Sequence, residues 1–305
     1  MKKAIILAVC SIMMSLTASA ITINKAMLVH EGEVTLFDGD KTQDAVNAAL
    51  DGDTIYLTLG TFKPFNITKR ITVRGTGDTS IIDGDVNISI PGSPKLTSPV
   101  MEALAVSGTV NVGAQVDDMI LRKCKIANFT IGAQVDGAML DRCYITSSLV
   151  LSSYIKGMTV VNTKLYTVTA NSGATQNTTF LNCNISYLST NNFSGTIINS
   201  IIYNSSTINS TVLLNTLRNY GDIGSSSVAQ NCYKGSFNFN DCECSYDTST
   251  LQSKGYLGTD GTVVGIYGGE TPFTLVPSVP KVTSSDLQLD NEKKQLNVTL
   301  TVSPQ

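Results

Sequence analysis

"VNVGAQVDDMILRKCKI" runs from Val110 to Ile126, and "FTIGAQVDGAMLDRCYI" follows it from Phe129 to Ile145. Aligned on their cysteines, the two phrases begin a series in which a β-branched or apolar run is followed by one polar and one small residue. "MILRKCKI" reaches the small residue at Cys124, "AMLDRCYI" at Cys143, "MTVVNTKL" at Thr163 and "TTFLNCNI" at Cys183. "TIINSII", "VLLNTL" and "VAQNC" continue it at Ser200, Thr216 and Cys232, so the steps are 19, 20, 20, 17, 16 and 16 residues. From Asn162 onward the polar residue is always asparagine: Asn162, Asn182, Asn199, Asn215 and Asn231.

A repeat this short cannot bury its apolar side alone and must stack on copies of itself. Its runs of Val, Ile, Thr and Phe are strand formers. Stacked strand passes joined by turns make a parallel β-helix, with equivalent residues one above another at about 4.8 Å. The recurring asparagine then has a physical task. It tolerates left-handed backbone at a sharp corner, and its amide is placed to hydrogen-bond along the stack. Cys, Thr and Ser after it are small enough to face inward. Cys124, Cys143, Cys183 and Cys232 read as buried thiols; a Cys124–Cys143 bridge is the alternative in an oxidising compartment.

Around this core the ends differ. Lys2 and Lys3, the apolar run Ala4 to Leu16 and Ala18-Ser19-Ala20 read as an export signal spanning 1–20, cleaved between Ala20 and Ile21. A lipid-attachment box at Leu7 to Cys10 is disfavoured by the bulky Val9 and by the apolar stretch beyond it. No later run is long enough for a membrane helix. Loss of the two leader lysines lowers Lys+Arg from 21 to 19 against 24 Asp+Glu, and the charge goes from −3 to −5, which argues against nucleic acid as a partner. An N-terminal segment at 21–52 carries "KTQDAVNAAL", which places Ala45, Val46, Ala49 and Leu50 on one helical face, with Asp40 or Thr42 as cap. Such a helix would shield the open strand edges of the first coil. The β-helix is expected over 53–269 and a strand-rich tail over 270–305, where Leu296, Val298, Leu300 and Val302 alternate after a turn near Asp290-Asn291 and imply a hairpin. The fold class is thus all-β, a parallel β-helix with a short amphipathic cap.

Thr42 to Val46, Gly52 to Leu57, Gly60 to Phe62, "ITVRGTG" at Ile71 to Gly77 and "IIDG" at Ile81 to Gly84 resemble the first coils of the pectin-lyase-like right-handed parallel β-helix family. "DGTVVGIYGGETPFTLVPSVPKV" from Asp260 to Val282 is similar to the closing segment of exported β-helix proteins of Gram-negative gut anaerobes. The resemblance implies the right-handed fold and leaves activity open, because this architecture serves lyases, hydrolases, esterases, tailspikes and adhesins. It implies a calcium-holding carboxylate cluster with an Arg or Lys base in the lyases, and paired aspartates near a His and an R-x-K motif in the hydrolases.

Candidates for such chemistry are Asp117, Asp118, Asp136 and Asp141, with Arg122 and Arg142. The coil register puts Asp117 and Asp136 at one turn position that later holds Lys156, Gln176 and Ser194, which is the pattern of solvated turn residues. It also stacks Arg122 on Asp141 as a surface ion pair. No carboxylate occurs between Arg142 and Gly221, no R-x-K motif exists, and the single histidine, His30, precedes the cap and reads as structural. "DCEC" at Asp241 to Cys244 lacks a second ligand pair for zinc, and "GTG" at Gly75 to Gly77 has no following helix to make a phosphate loop. What remains is a face of Asn, Thr and Ser with Tyr154, Tyr166, Tyr187 and Tyr203, suited to sugars. The sequence thus points to an exported, periplasmic, cell-surface or extracellular binding or adhesive module for glycans that needs no cofactor. The alternatives are a polysaccharide lyase or hydrolase, with calcium as cofactor in the lyase case, and a structural or assembly subunit.

Overall fold

The computed structural model describes residues 24–90, 98–171, 178–189, 193–277, 281–290 and 295–303, the last two as backbone. The export signal, the Ala20–Ile21 cleavage site and Gln176 lie outside these. The chain winds as a parallel β-solenoid. Its first sheet contains ten mutually parallel strands, from Thr54–Leu57 through Ile120–Arg122, Met139–Asp141 and Thr159–Val161 to Val228–Gln230. The second sheet stacks Ala105–Val112, Lys125–Ile131, Tyr144–Leu151, Lys164–Ala170, Asn184–Leu188 and Ile201–Ser205 in the same direction.

The register explains the repeat. Val73, Met101, Leu121, Leu140, Val160, Phe180, Ile197 and Leu213 form one inward column of the first sheet. Ile82, Val106, Ile126, Ile145, Leu165, Ile185 and Ile202 form its counterpart in the second. All of these are buried. Each side chain therefore meets like chains above and below, and a fully buried Leu or Ile contributes about 1.5–3 kcal/mol. The long strands shift register near Val106, Ile126 and Ile145, where the chain bends onto a third face lined by Val110, Phe129, Leu149 and Val168. Coils after Cys183 have strands here of five residues and then two instead of seven or eight, and the repeat shortens from 20 to 17 and 16.

The corner between the two sheets is built as its residue types suggest. Asn162, Asn182, Asn199, Asn215 and Asn231 all have φ between 44° and 52°, and Lys123 and Arg142 adopt the same geometry at 52° and 53° earlier in the column. Each corner amide donates to the next coil, as Asn162 N does to Leu181 O at 3.0 Å. The small residue that follows turns inward and donates to the carbonyl two residues back: Cys124 to Arg122 O, Thr163 to Val161 O, Ser200 to Ile198 O and Thr216 to Leu214 O. The oxygens of Thr163 and Ser200 also accept the amide of the preceding coil's cysteine, Cys143 N at 3.1 Å and Cys183 N at 3.0 Å. The cysteine thiols are free, with no Cys124–Cys143 bridge, and burial pushes Cys183 up to about 12.

At the first coil a hairpin of Lys25–His30 and Glu33–Asp38 pairs antiparallel to Thr54–Leu57, and helix α1, Thr42–Ala48, packs against Phe65–Ile67. Ala45, Val46 and Ala49 are buried as expected, but Leu50 is exposed, because Ala49 is already extended (ψ 153°) and the helical spacing no longer applies. Neither Asp40 nor Thr42 caps α1: the N-cap position falls to Lys41, Asp40 lies in the 3-10 turn Gly39–Lys41, and the Thr42 hydroxyl donates to Gly39 O. The other end is served by Lys69, whose ammonium donates to the carbonyls of Asn47 and Ala49.

Parallel pairing ends at Tyr233–Lys234, and the chain then folds back. Residues 236–257, with helix α2 at Thr248–Ser253, cover Ile201 and Leu217 through Phe237 and Leu251. The glycine-rich segment 257–269 then returns along the asparagine corner. Asn215 Nδ2 donates to Leu257 O at 3.0 Å, Thr259 N donates to Asn199 Oδ1 at 2.9 Å, and Asn162 Nδ2 donates to Ile266 O and Gly268 O at 3.1 and 2.8 Å. The amides of Asn162, Asn199 and Asn215 thus bind this strap rather than one another. Gly269 needs to be glycine, since a Cβ would stand 2.3 Å from Asn182 Nδ2 and its φ is +77°. Pro277 lies against Gly77, beside an early coil. Lys281–Asp290 and Gln295–Ser303 pair antiparallel as the expected hairpin.

Asn162 makes two hydrogen bonds to the strap, whereas the Asn182 side-chain oxygen is buried without a partner. Urea denaturation is therefore expected to show Asn162→Gly losing about 2 kcal/mol, roughly 1 per hydrogen bond. Asn182→Gly, which keeps the left-handed corner, should lose under about 1 kcal/mol. Equal losses would mean that the strap bonds contribute nothing.

Candidate functional site

On the outer face of the second sheet the residues two positions past each inter-coil pair point away from the core. Lys164–Ala170, Asn184–Leu188 and Ile201–Ser205 present Tyr166, Ser186 and Tyr203 there, with Thr167, Tyr187 and Asn204 in the next outward column. The fold-back supplies a wall. Its short hairpin, Phe239–Asn240 with Glu243–Cys244, stacks Phe239 on Tyr203, ring centroids 5.4 Å apart at 17°. Tyr220 meets Tyr203 edge-on at 5.6 Å.

Polar bonds fix that wall to the coils. The Tyr144 hydroxyl donates to Asp241 Oδ1, Asn184 Nδ2 donates to Cys242 O at 3.0 Å, and the Ser186 hydroxyl donates to Cys242 Sγ at 3.2 Å. Lys164 pairs with Glu243 and lies over the rings of Tyr144 and Phe273, at 5.3 and 4.8 Å. Burial and the bond to Asp241 both push the Tyr144 phenol well above its ordinary range, so it stays a neutral donor. Burial likewise raises the Cys242 thiol, with the Ser186 bond opposing.

Between wall and sheet lies a cavity of about 700 Å³ lined by these tyrosines, Phe239, Thr146, Thr167, Ser186, Asn204, Asp241 and Cys242. Rings and hydroxyls dominate it, and Asp241 is the one carboxylate of the lining, with no Lys, Arg or His. Tyr166, Tyr187 and Tyr203 thus come together, while Tyr154 stands apart on a turn, 57% exposed. Sequence reading passed over Tyr144 and Phe239, and weighed Asp241 only as part of a zinc motif. The coil alignment already holds Tyr144 at a paired position beside Lys164, but nothing local marks the hairpin that carries Phe239 and Asp241.

The aspartate candidates line neither this cavity nor a smaller one on the same face. Asp117 Oδ1 accepts Asp136 N at 2.8 Å, and Asp136 bridges to Lys156, so this turn column holds itself together. Asp118 sits at a turn with φ 57°. Asp141 is at the far end of the next strand, where it holds Arg122 at 3.0 Å and Arg142 at 2.6 Å. Arg74–Glu102 continues this alternating column at 2.8 Å. With Asp141 only 8% exposed, the pair is not the fully solvated one expected, and the bond to Asp141 raises Arg142 further. Among the described residues no group of three His, Cys, Asp or Glu side chains converges as a metal site. Comparison of the chain with protein-family models, with curated proteins and with solved structures found no match.

His30 ties the N-terminal hairpin to the coil after it through Asp53, at 2.8 Å. The Asp53 bond raises His30 above 6.5; burial alone would raise Asp53, but the bonds from Leu50 N and His30 outweigh it and leave Asp53 lowered. The raised histidine stabilises fully below its unfolded value near 6.5 and loses that contribution as pH rises through its folded value. The lowered aspartate stabilises above its unfolded value near 3.9 and loses that as pH falls. The tie is therefore strongest at mildly acidic pH. NMR titration should place the His30 imidazole above 6.5, and Asp53→Asn should bring it down; an unchanged midpoint would remove the pair as the cause.

Proposed function

We propose that this protein is an exported, non-catalytic glycan-binding module that holds neutral sugars in the Tyr166–Tyr187–Tyr203 groove. The observation that carries the reading is the composition of that groove: rings for the apolar faces of a sugar, hydroxyls and amides for its own hydroxyls, and no base to attract a uronate. Asp241 is already bonded to Tyr144, which suits a fixed acceptor for sugar hydroxyls better than a proton-transferring group. An acidic-polysaccharide lyase or hydrolase acting through Asp117, Asp118, Asp136 and Asp141 finds less support, because those carboxylates are split between two places and serve backbone and arginine partners. Kinship with the pectin-lyase-like family belongs to the same proposal. It rests on the first-coil motifs and on the parallel solenoid.

Affinity electrophoresis of residues 21–305 through gels containing neutral polysaccharides is the test. Retardation is expected with neutral chains and not with polygalacturonate. Tyr166→Ala and Tyr187→Ala remove rings that are 55% and 39% exposed, so each should weaken retention by on the order of 1 kcal/mol without moving the melting temperature. New reducing ends, or retention only by uronates, would overturn the reading.

A further inference from the structure

The groove does not stop at Thr146. A second cavity of about 270 Å³ is lined by Asp78, Ile81, Ala105, Val106, Ser107, Lys125, Ala127 and the same Thr146. Inter-coil register runs Ile81, Ala105, Lys125, Tyr144, Lys164, Asn184, Ile201 without a break. Two residues beyond each of the later six lies the outward column Ser107, Ala127, Thr146, Tyr166, Ser186, Tyr203. The first three of these line the smaller cavity and the last four the larger one. The two hollows meet at Thr146 and lie along one outward column.

We infer that the ligand is an extended neutral polysaccharide chain lying lengthwise in this trough from Tyr203 to Ser107, an assignment that rests on the glycan reading above. Six outward residues at one coil spacing, about 4.8 Å, span about 24 Å. A single sugar would occupy only the larger hollow. A polymer of repeating units is the ligand class that gains from side chains repeated at a fixed step, and its occupancy of each further coil adds contacts at little further cost in lost freedom. Charge agrees with neutrality, since the joined lining holds Asp78 and Asp241 against Lys125. The backbone favours sugar over peptide: along this face the strand amides and carbonyls are used in the parallel ladder, so no edge is offered for an extended peptide to pair with, and recognition falls to rings and hydroxyls.

Isothermal titration calorimetry with neutral 1,4-linked gluco- and manno-oligosaccharides of increasing length tests this. Affinity is expected to rise by about tenfold or more from the disaccharide to chains long enough to cover the trough, and then to level off. Ser107→Trp, which fills the smaller hollow, and Lys125→Ala, which strips its one base, should each weaken the long oligosaccharide severalfold and leave the disaccharide unchanged. Tyr187→Ala should weaken both. Equal affinity at every length, with binding still lost in Tyr187→Ala, would overturn the trough while leaving the glycan groove in place. Binding of no neutral oligosaccharide, or binding of uronate oligomers or unfolded peptide instead, would overturn both.

Discussion

Every coil depends on one tight corner. There the chain must turn through a left-handed residue without breaking the hydrogen-bond ladder between coils. Asparagine meets the first demand at lower cost than most residues with a Cβ, and the inward thiol or hydroxyl that follows meets the second. Its bond to the carbonyl two residues back holds the turn closed, as at Thr163 and Ser200. Because corner residues stack directly, an error at one would displace the strands of the next, and residue choice is narrow along the column. Cys, Thr and Ser alternate there because each offers one small polar group of similar reach.

The corner also explains the strap. An asparagine side chain that serves the backbone of its own turn would have nothing left to offer; these point outward and bind another segment. Asn162, Asn199 and Asn215 of the corner, with Asn184 at the start of the strand beyond it, together present a line of amides that a glycine-rich chain can approach closely. The strap in turn covers Ile201 and the last coils through Val263 and Val264, which lie in the second apolar cluster. A solenoid has contacts only between neighbours, so a segment that crosses several coils couples elements that would otherwise unfold separately.

Much of this was legible in the sequence, and for one reason: a stacked repeat converts spacing directly into position. Reading Arg122 and Asp141 as equivalent was sufficient to place one over the other, and the same alignment sets Asp136 beside Lys156. Legibility stopped where the repeat stopped. Leu50 was misplaced because a seven-residue helix ends before its periodicity can be established. The path of 257–277 was hidden because its partners are side chains of a column already assigned to the corner. The wall residues Phe239 and Asp241 belong to no coil, so no alignment could bring them to Tyr203 and Tyr144.

That division has a functional consequence. Stability in the coils resides in the inward columns and the corner, leaving the outward column free to vary without cost to the fold. Here it carries the small residues Ser107, Ala127 and Thr146 toward one end and Tyr166, Ser186 and Tyr203 toward the other, so the surface passes from small side chains to aromatic ones. The non-repeating wall is added only beside the tyrosines, where Phe239 extends the stacking surface and Asp241 adds a carboxylate. A repeat thus sets the length of the surface, and an irregular segment sets where along it an aromatic wall stands.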